Sequence, residues 1–277
     1  MIFCVSPDPY YSIHGSSSEK MRQLFHELID IGIGGVNVTY EDPDEYPGWN
    51  DYMQSTANHA KEFVFLVSMH APGGDISSVN RKVRESAVAR LGKSIRDVGQ
   101  FMSDVIVVIH PENANPDRQP GDDHARKENC RKSLEKLANL AMEHNVRIAI
   151  ENMRWRADNP NRTGMYTDQL MEIIHGMDPM IGICFDVGHA NISEGRDFDG
   201  AFSRNAHRII HIHLDDNLGI EDDHFQPGEG NIDFESFYNV VKESGYDGMI
   251  QLEVKMKEKD DPMEFYLRNY QYFISMI

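Results

Sequence analysis

The feature that most narrows the fold is an alternation running the length of the chain. Short apolar runs, each too brief for a typical helix, are separated by longer segments whose apolar residues recur at helical spacing. Strands are expected at 2–6, 35–40, 63–69, 105–109, 147–150, 181–185, 209–214 and 249–254. Between them, Met21, Leu24, Phe25 and Leu28 fall on one helical face within 19–33. Val79, Val83, Ala87, Leu91, Ile95 and Val98 trace another, and 127–144, 234–243 and 262–277 repeat the pattern. Eight strand-then-helix units in 277 residues average about 35 residues each, which suits a (β/α)8 barrel better than a doubly wound sheet. No Gly-, Pro- or Ser-rich linker and no low-complexity tract divides the chain. The expectation is an α/β protein, a single-domain (β/α)8 TIM barrel spanning 1–277.

In such a barrel alternate strand residues face the interior, and residues at the carboxyl ends of the strands surround the mouth. The face shared with each terminal polar residue carries Ser68 and His70, then Ile106, Val108 and His110, then Ala149 and Glu151. The sixth, seventh and eighth strands give Gly182, Cys184 and Asp186, His211 and His213, and Gln251 and Glu253. The opposite parity, as in Ile183 and Phe185 or Ile210, Ile212 and Leu214, is apolar and suits packing against outer helices.

One histidine after a strand is ordinarily a hydrogen-bonded loop residue. Six successive strands ending in His, His, Glu, Asp, His and Glu are not explained that way. Carboxylates and imidazoles converging on a water-poor mouth repel or go unsatisfied unless a divalent cation sits among them. His189, just beyond Asp186, and Asp222 and His224, ahead of Pro227-Gly228, extend the set, against the competing reading of a solvated polar loop. His211 is expected one layer deeper, as a hydrogen-bonded core residue. His14, His26, His59, His124, His144, His175 and His207 are expected on solvated helices and outer loops.

Charge enters here. The 27 Lys and Arg against 45 Asp and Glu give a net charge of -18, which disfavours a general nucleic-acid binder and favours cationic partners such as metal ions. No apolar stretch approaches the ~20 residues of a membrane helix, and Met1-Ile2-Phe3-Cys4-Val5 lacks the basic start of a signal peptide, so a cytoplasmic location is expected. Cys4, Cys130 and Cys184 are widely spaced without a CxxC and are expected reduced. The chain has no GxGxxG, P-loop, HExxH or GxSxG.

With these residues in view, the sequence resembles the xylose isomerase-like TIM barrels, a superfamily of sugar isomerases and epimerases that includes endonuclease IV-type DNA repair enzymes. The resemblance spans nearly the whole chain. It is carried by Ser68-Met69-His70-Ala71-Pro72, Val108-Ile109-His110-Pro111, Ile150-Glu151-Asn152, Phe185-Asp186-Val187-Gly188-His189-Ala190, His211-Ile212-His213-Leu214-Asp215-Asp216, Pro227-Gly228-Glu229-Gly230-Asn231-Ile232-Asp233 and Leu252-Glu253. It implies one divalent metal on Glu151, Asp186, His213 and Glu253 in the epimerase branch. In the endonuclease branch it implies a three-metal cluster that adds His70, His110, His189, Asp222 and His224. Both sets match, so the ligands do not separate the branches. The stretch after His70 does: Ala71-Pro72-Gly73-Gly74-Asp75 stands where the endonucleases carry an Asp-Ser-Tyr-Leu-like run that intrudes into DNA.

The expected function is therefore a divalent-metal-dependent sugar or sugar-phosphate isomerase or epimerase, with zinc, manganese, cobalt or magnesium as the metal. Glu151 and Glu253 act as base and acid through a metal-stabilised enediolate, and His189 binds a substrate oxygen. The alternative is an endonuclease IV-like multi-zinc phosphodiesterase acting on abasic DNA. The expected partner is a small carbohydrate, with no membrane; nucleic acid is disfavoured, and homo-oligomerisation is left open. Arg154, Trp155 and Arg156 are candidates for a phosphate at the mouth, against a solvated loop.

Overall fold

The computed structural model describes residues 1–112, 118–119 and 121–276. Eight parallel strands, β1 (Ile2–Val5), β2 (Gly35–Thr39), β3 (Leu66–His70), β4 (Ile106–Ile109), β5 (Arg147–Glu151), β6 (Ile181–Asp186), β7 (Ile209–Leu214) and β8 (Met249–Leu252), pair in chain order, and β8 returns to β1 to close a barrel. Around it lie α1 (Asp8–His14), α2 (Ser18–Asp30), α3 (Trp49–Phe63), α4 (Arg81–Gly99), α5 (Asp123–His144), α6 (Thr167–Ile174), α7 (Val187–Ser193), α8 (Phe198–Asn205), α9 (Phe234–Glu243) and α10 (Pro262–Ile274). This is a single-domain (β/α)8 barrel, as the alternation predicts. Among the described residues no helix is long and apolar enough to cross a membrane.

The two strand faces divide as period-two alternation requires. Cys4, Ile106, Val108, Ala149, Cys184 and Met249 form the apolar filling of the barrel. Above them is a buried polar layer in which Ser68 donates to the Asn37 side chain at 2.9 Å and His211 Nε2 meets the Gln251 amide oxygen at 3.0 Å. That oxygen only accepts, so the ring carries its proton on Nε2. Burial, reinforced by the charge of His213, pushes the His211 ring down to about 3, which keeps it neutral. The outer face packs on helices: Phe185 lies edge-on to Phe202 at 5.2 Å and stacks on Phe237 at 5.9 Å.

Four details depart from the sequence reading. The third strand starts at Leu66, because α3 continues through Phe63 and Val64 closes it in a left-handed cap. The apolar face of α4 is buried only from Ala87 onward, and Val79 and Val83 are exposed. A register shift between Ile183 and Cys184 against β7 brings Ile210 onto the inner cluster, although its parity assigns it outside. His59 is buried between helices, with Nε2 on the Ser18 carbonyl at 3.1 Å. The three cysteines are free and buried.

Candidate metal centre

The carboxyl ends of β3 to β8 bring all nine candidate residues to one mouth. Glu151 ends β5 and is 2% exposed. Four imidazoles surround its carboxylate, at 3.1 Å for His110, 3.2 Å for His189, 3.7 Å for His70 and 3.8 Å for His213. Burial opposes its charge, but these rings outweigh burial and hold the carboxyl well below the usual range.

Asp186 ends β6 and caps α7, accepting the His189 backbone N–H on Oδ1 at 2.6 Å. An Asp at the N-cap satisfies an orphan helix donor, which explains locally why the strand turns here into a helix. The Asn152 side chain braces the turn, accepting from the Asp186 N–H at 2.7 Å and donating to its carbonyl at 2.9 Å. Gly188 is required in that turn: its N–H reaches Asp215 Oδ1 at 3.1 Å, and a Cβ there would run into the Asp215 carboxylate. The second Asp186 oxygen, Oδ2, is buried with no partner.

His213, on β7, is fully buried with neither ring nitrogen hydrogen-bonded. Its Nδ1 lies 2.5 Å from Glu253 Oε2, 3.7 Å from Asp186 Oδ2 and 3.8 Å from Glu151 Oε2. The 2.5 Å contact counts as an ion pair by distance but lacks hydrogen-bond alignment, and Glu253 Oε2 is itself buried and unpartnered. Ligand atoms of Glu151, Asp186 and His213 thus lie within 4.8 Å of one another, with Glu253 Oε2 beside the His213 ring. Buried polar atoms are almost always paired, so this arrangement fits a cation bound by Glu151, Asp186, His213 and Glu253.

The electrostatics agree. Burial works against charge on both His213 and Glu253; Cys184, Glu253 and Asp186 hold the His213 proton well above its ordinary range, and His213 holds Glu253 at about 2. Asp186 and Asp215 are pushed the other way, upward, by burial and by neighbouring carboxylates.

Three of the other imidazoles are oriented by backbone carbonyls, as ligating histidines usually are. His70 Nδ1 faces the Ala71 carbonyl at 3.2 Å, His189 Nδ1 the Asn152 carbonyl at 2.8 Å and His224 Nδ1 the Glu253 carbonyl at 2.9 Å. A carbonyl only accepts, so each ring carries its proton on Nδ1 and presents Nε2 to the mouth. His70, His110 and Glu151 offer ligand atoms within 4.8 Å of one another, as do Asp215, Asp222 and His224. His189 Nε2 and His224 Nε2 each lie 3.5 Å from Asp222. His224 sits at φ 52 on a loop tied to β8.

Asp215 was not singled out from the sequence, although it shares the parity of His211 and His213. Ser6, Asn37 and Thr39 were also missed. They line, with His70, His224 and Glu253, an open pocket of about 310 Å³ beside the carboxylates. Arg154 reaches the rim, 3.4 Å from Asp222, whereas Arg156 pairs with Asp158 at 2.7 Å and Trp155 is exposed.

Comparison with known proteins identifies the family. An uncharacterised protein of Methanocaldococcus jannaschii is 33% identical over 196 residues, 68% of this chain and 64% of that protein. An inosose dehydratase of Lacticaseibacillus casei is 30% identical over 158 residues, so the chain spans about half of that enzyme's length, 51%. Among solved structures, a D-tagatose 3-epimerase-like protein superposes with a TM-score of 0.77 at 24% identity, covering 99% of this chain and 98% of that one. The family model for the xylose isomerase-like TIM barrel matches residues 25–271, and the chain belongs to that family.

Proposed function

We propose that the protein is a divalent-metal-dependent isomerase or epimerase that moves a proton on the carbon beside a sugar carbonyl. The observation that carries this reading is the buried group of Glu151, Asp186 and His213, with ligand atoms within 4.8 Å of one another, beside Glu253, which lines an open pocket. A bound divalent cation supplies Lewis acidity for the enediolate that forms when that carbon loses its proton. Glu253, which lines the pocket and has a 28% exposed side chain, takes or returns the proton on the open side. Glu151 serves the opposite side, its acidity set by the surrounding imidazoles. His189, fixed through Nδ1, offers Nε2 to a substrate oxygen. Epimerisation beside a carbonyl and dehydration across the same carbon share this first step, which suits a chain similar to both an epimerase-like protein and inosose dehydratases.

The test is solvent deuterium wash-in, read by NMR on metal-loaded protein with a panel of ketoses, aldoses and inososes. Exchange is expected at one carbon beside the carbonyl and is expected to fall by about 10²–10⁴ in Glu151→Gln and Glu253→Gln. No exchange across the panel sinks the reading. The two further ligand groups, at His70, His110 and Glu151 and at Asp215, Asp222 and His224, favour a second reading, a multi-metal phosphodiesterase. Counting bound metal separates them: one equivalent supports the isomerase, and about three zinc ions with nicking of abasic duplex DNA supports the second.

A further inference from the structure

Beside the mouth pocket lies a larger cavity of about 640 Å³, twice the 310 Å³ of the pocket at the carboxylates. Thr39, at the end of β2, lines both and donates to Asp8 Oδ2 at 3.5 Å across their common wall. The annex is built from the loops after β1 and β2 and the first turns of α1 and α3, elements that supply none of the candidate metal ligands.

Its chemistry is unlike the mouth. Three carboxylates, Asp8, Glu41 and Glu45, line it, and no Lys, Arg or His does so among the described residues. Tyr11, Tyr46, Trp49 and Tyr52 provide aromatic walls, Tyr11 and Tyr52 meeting edge to face at 5.8 Å. Trp49 is buried against Tyr40 and Phe101 and forms the floor, while Tyr46, 52% exposed, is the open aromatic face of the annex.

We infer that the annex holds a second, uncharged sugar unit, so that the substrate is a glycosylated ketose or polyol rather than a sugar phosphate. This rests on the proton-transfer reading of the adjoining mouth. A phosphate in the annex would bring a dianion among three carboxylates with no lining cation, and the repulsion is strong where water is partly excluded. An ammonium group would meet the carboxylates but, as a compact point charge, would leave most of the aromatic wall uncovered. Hydroxyls both donate and accept, and the apolar face of a sugar ring suits the aromatic walls. The combined size of the two pockets suits two linked rings better than one.

The test uses four ketoses that differ only at O6 or its replacement: D-fructose, isomaltulose, which carries a glucosyl group there, D-fructose 6-phosphate and 6-amino-6-deoxy-D-fructose. Affinities are measured by calorimetry on the zinc-loaded protein. Isomaltulose is expected to bind about tenfold tighter than D-fructose or better, and D-fructose 6-phosphate more weakly than D-fructose. The triple variant Glu41→Gln, Glu45→Gln, Tyr46→Ala changes only exposed residues. It is expected to erase the isomaltulose preference and leave D-fructose affinity unchanged. The inference is overturned if the phosphate or the amine binds tightest, if isomaltulose gains nothing, if the variant keeps the preference, or if none of the four binds. Deuterium wash-in on the same samples separates the two readings. Exchange in D-fructose without an isomaltulose preference removes the annex alone. A preference lost in the variant, with no exchange in any ketose, removes the proton-transfer reading alone.

Discussion

Glu112 and Glu151 are both buried carboxylates near the carboxyl ends of neighbouring strands, 0% and 2% exposed, but they face different cations. Glu112 receives Arg126 Nε at 3.0 Å, Arg118 at 2.8 Å, Asn159 Nδ2 at 2.7 Å and the Thr163 N–H at 3.0 Å, while Arg126 also holds Asp75 at 2.6 Å. Glu151 receives only imidazoles. A guanidinium keeps its proton at any pH a protein survives, so the Glu112 cluster is neutralised from within and ties together the segments after β3, β4 and β5. An imidazole gives up its proton readily, so the Glu151 cluster would exchange protons for a metal under the proposed function. The same burial serves structure in one place and, under the proposed function, chemistry in the other.

The largest expected effect breaks the first cluster. Arg126→Met leaves Asp75 and Glu112 buried against fewer cations and is expected to destabilise the protein by about 3–5 kcal/mol in urea titrations, with or without zinc. A loss that zinc rescues would mean that the two clusters are one site.

Acid probes the same cluster more gently. Burial opposes the charge of Glu112, but Thr163, Asn159 and Arg126 hold its pKa at about 2, below the ordinary 4.5. A depressed carboxylate contributes stability that is fully present above 4.5 and is lost as pH falls toward 2. That contribution is on the order of 3 kcal/mol. Comparing wild type with Glu112→Gln across this window measures it, and an identical pH dependence in the two proteins would remove Glu112 as the cause.

The mouth is expected to respond in the opposite sense. Zinc at about 100 times its dissociation constant should stabilise the protein by roughly 2.7 kcal/mol. Asp186→Asn should abolish that gain while leaving the metal-free protein at least as stable, because Asn keeps an oxygen to cap α7 and removes a charge that burial disfavours. If Asp186→Asn instead destabilises the metal-free protein as Arg126→Met does, the contrast between the clusters fails.

Much of the mouth was legible in the sequence because strand parity is a local rule. A residue of ligand type at each of six strand ends follows from period two alone, and Asp215 would have followed had the count continued two residues beyond His213. The Glu112 cluster was not legible. Arg126 meets Asp75 across 51 residues of sequence, and no periodicity marks a buried arginine; it stood one residue outside the helix expected at 127–144. Ile210 was misplaced because a register shift breaks the parity rule where it occurs. The annex escaped because its lining comes from the loops after β1 and β2 and from the first turns of α1 and α3, whose orientation strand parity does not set.

The smallest expected effect lies at the opposite end of the barrel and serves as a control on the comparison. Phe63-Val64-Phe65-Leu66-Val67 reads as one apolar run, yet Val64 ends α3 at φ 59 and is 86% exposed. A β-branched residue is strained in the left-handed region, and glycine is the usual occupant of a helix end of this kind. Val64→Gly should relieve that strain, partly offset by the greater freedom of glycine in the unfolded chain, for a net gain of about 0.5–1 kcal/mol. Residues at the amino-terminal end of such barrels act on stability rather than on the site, so the zinc-induced shift in the urea midpoint should match that of wild type. A changed zinc response would show that packing beneath the barrel reaches the mouth, and the two buried clusters could then no longer be treated as independent.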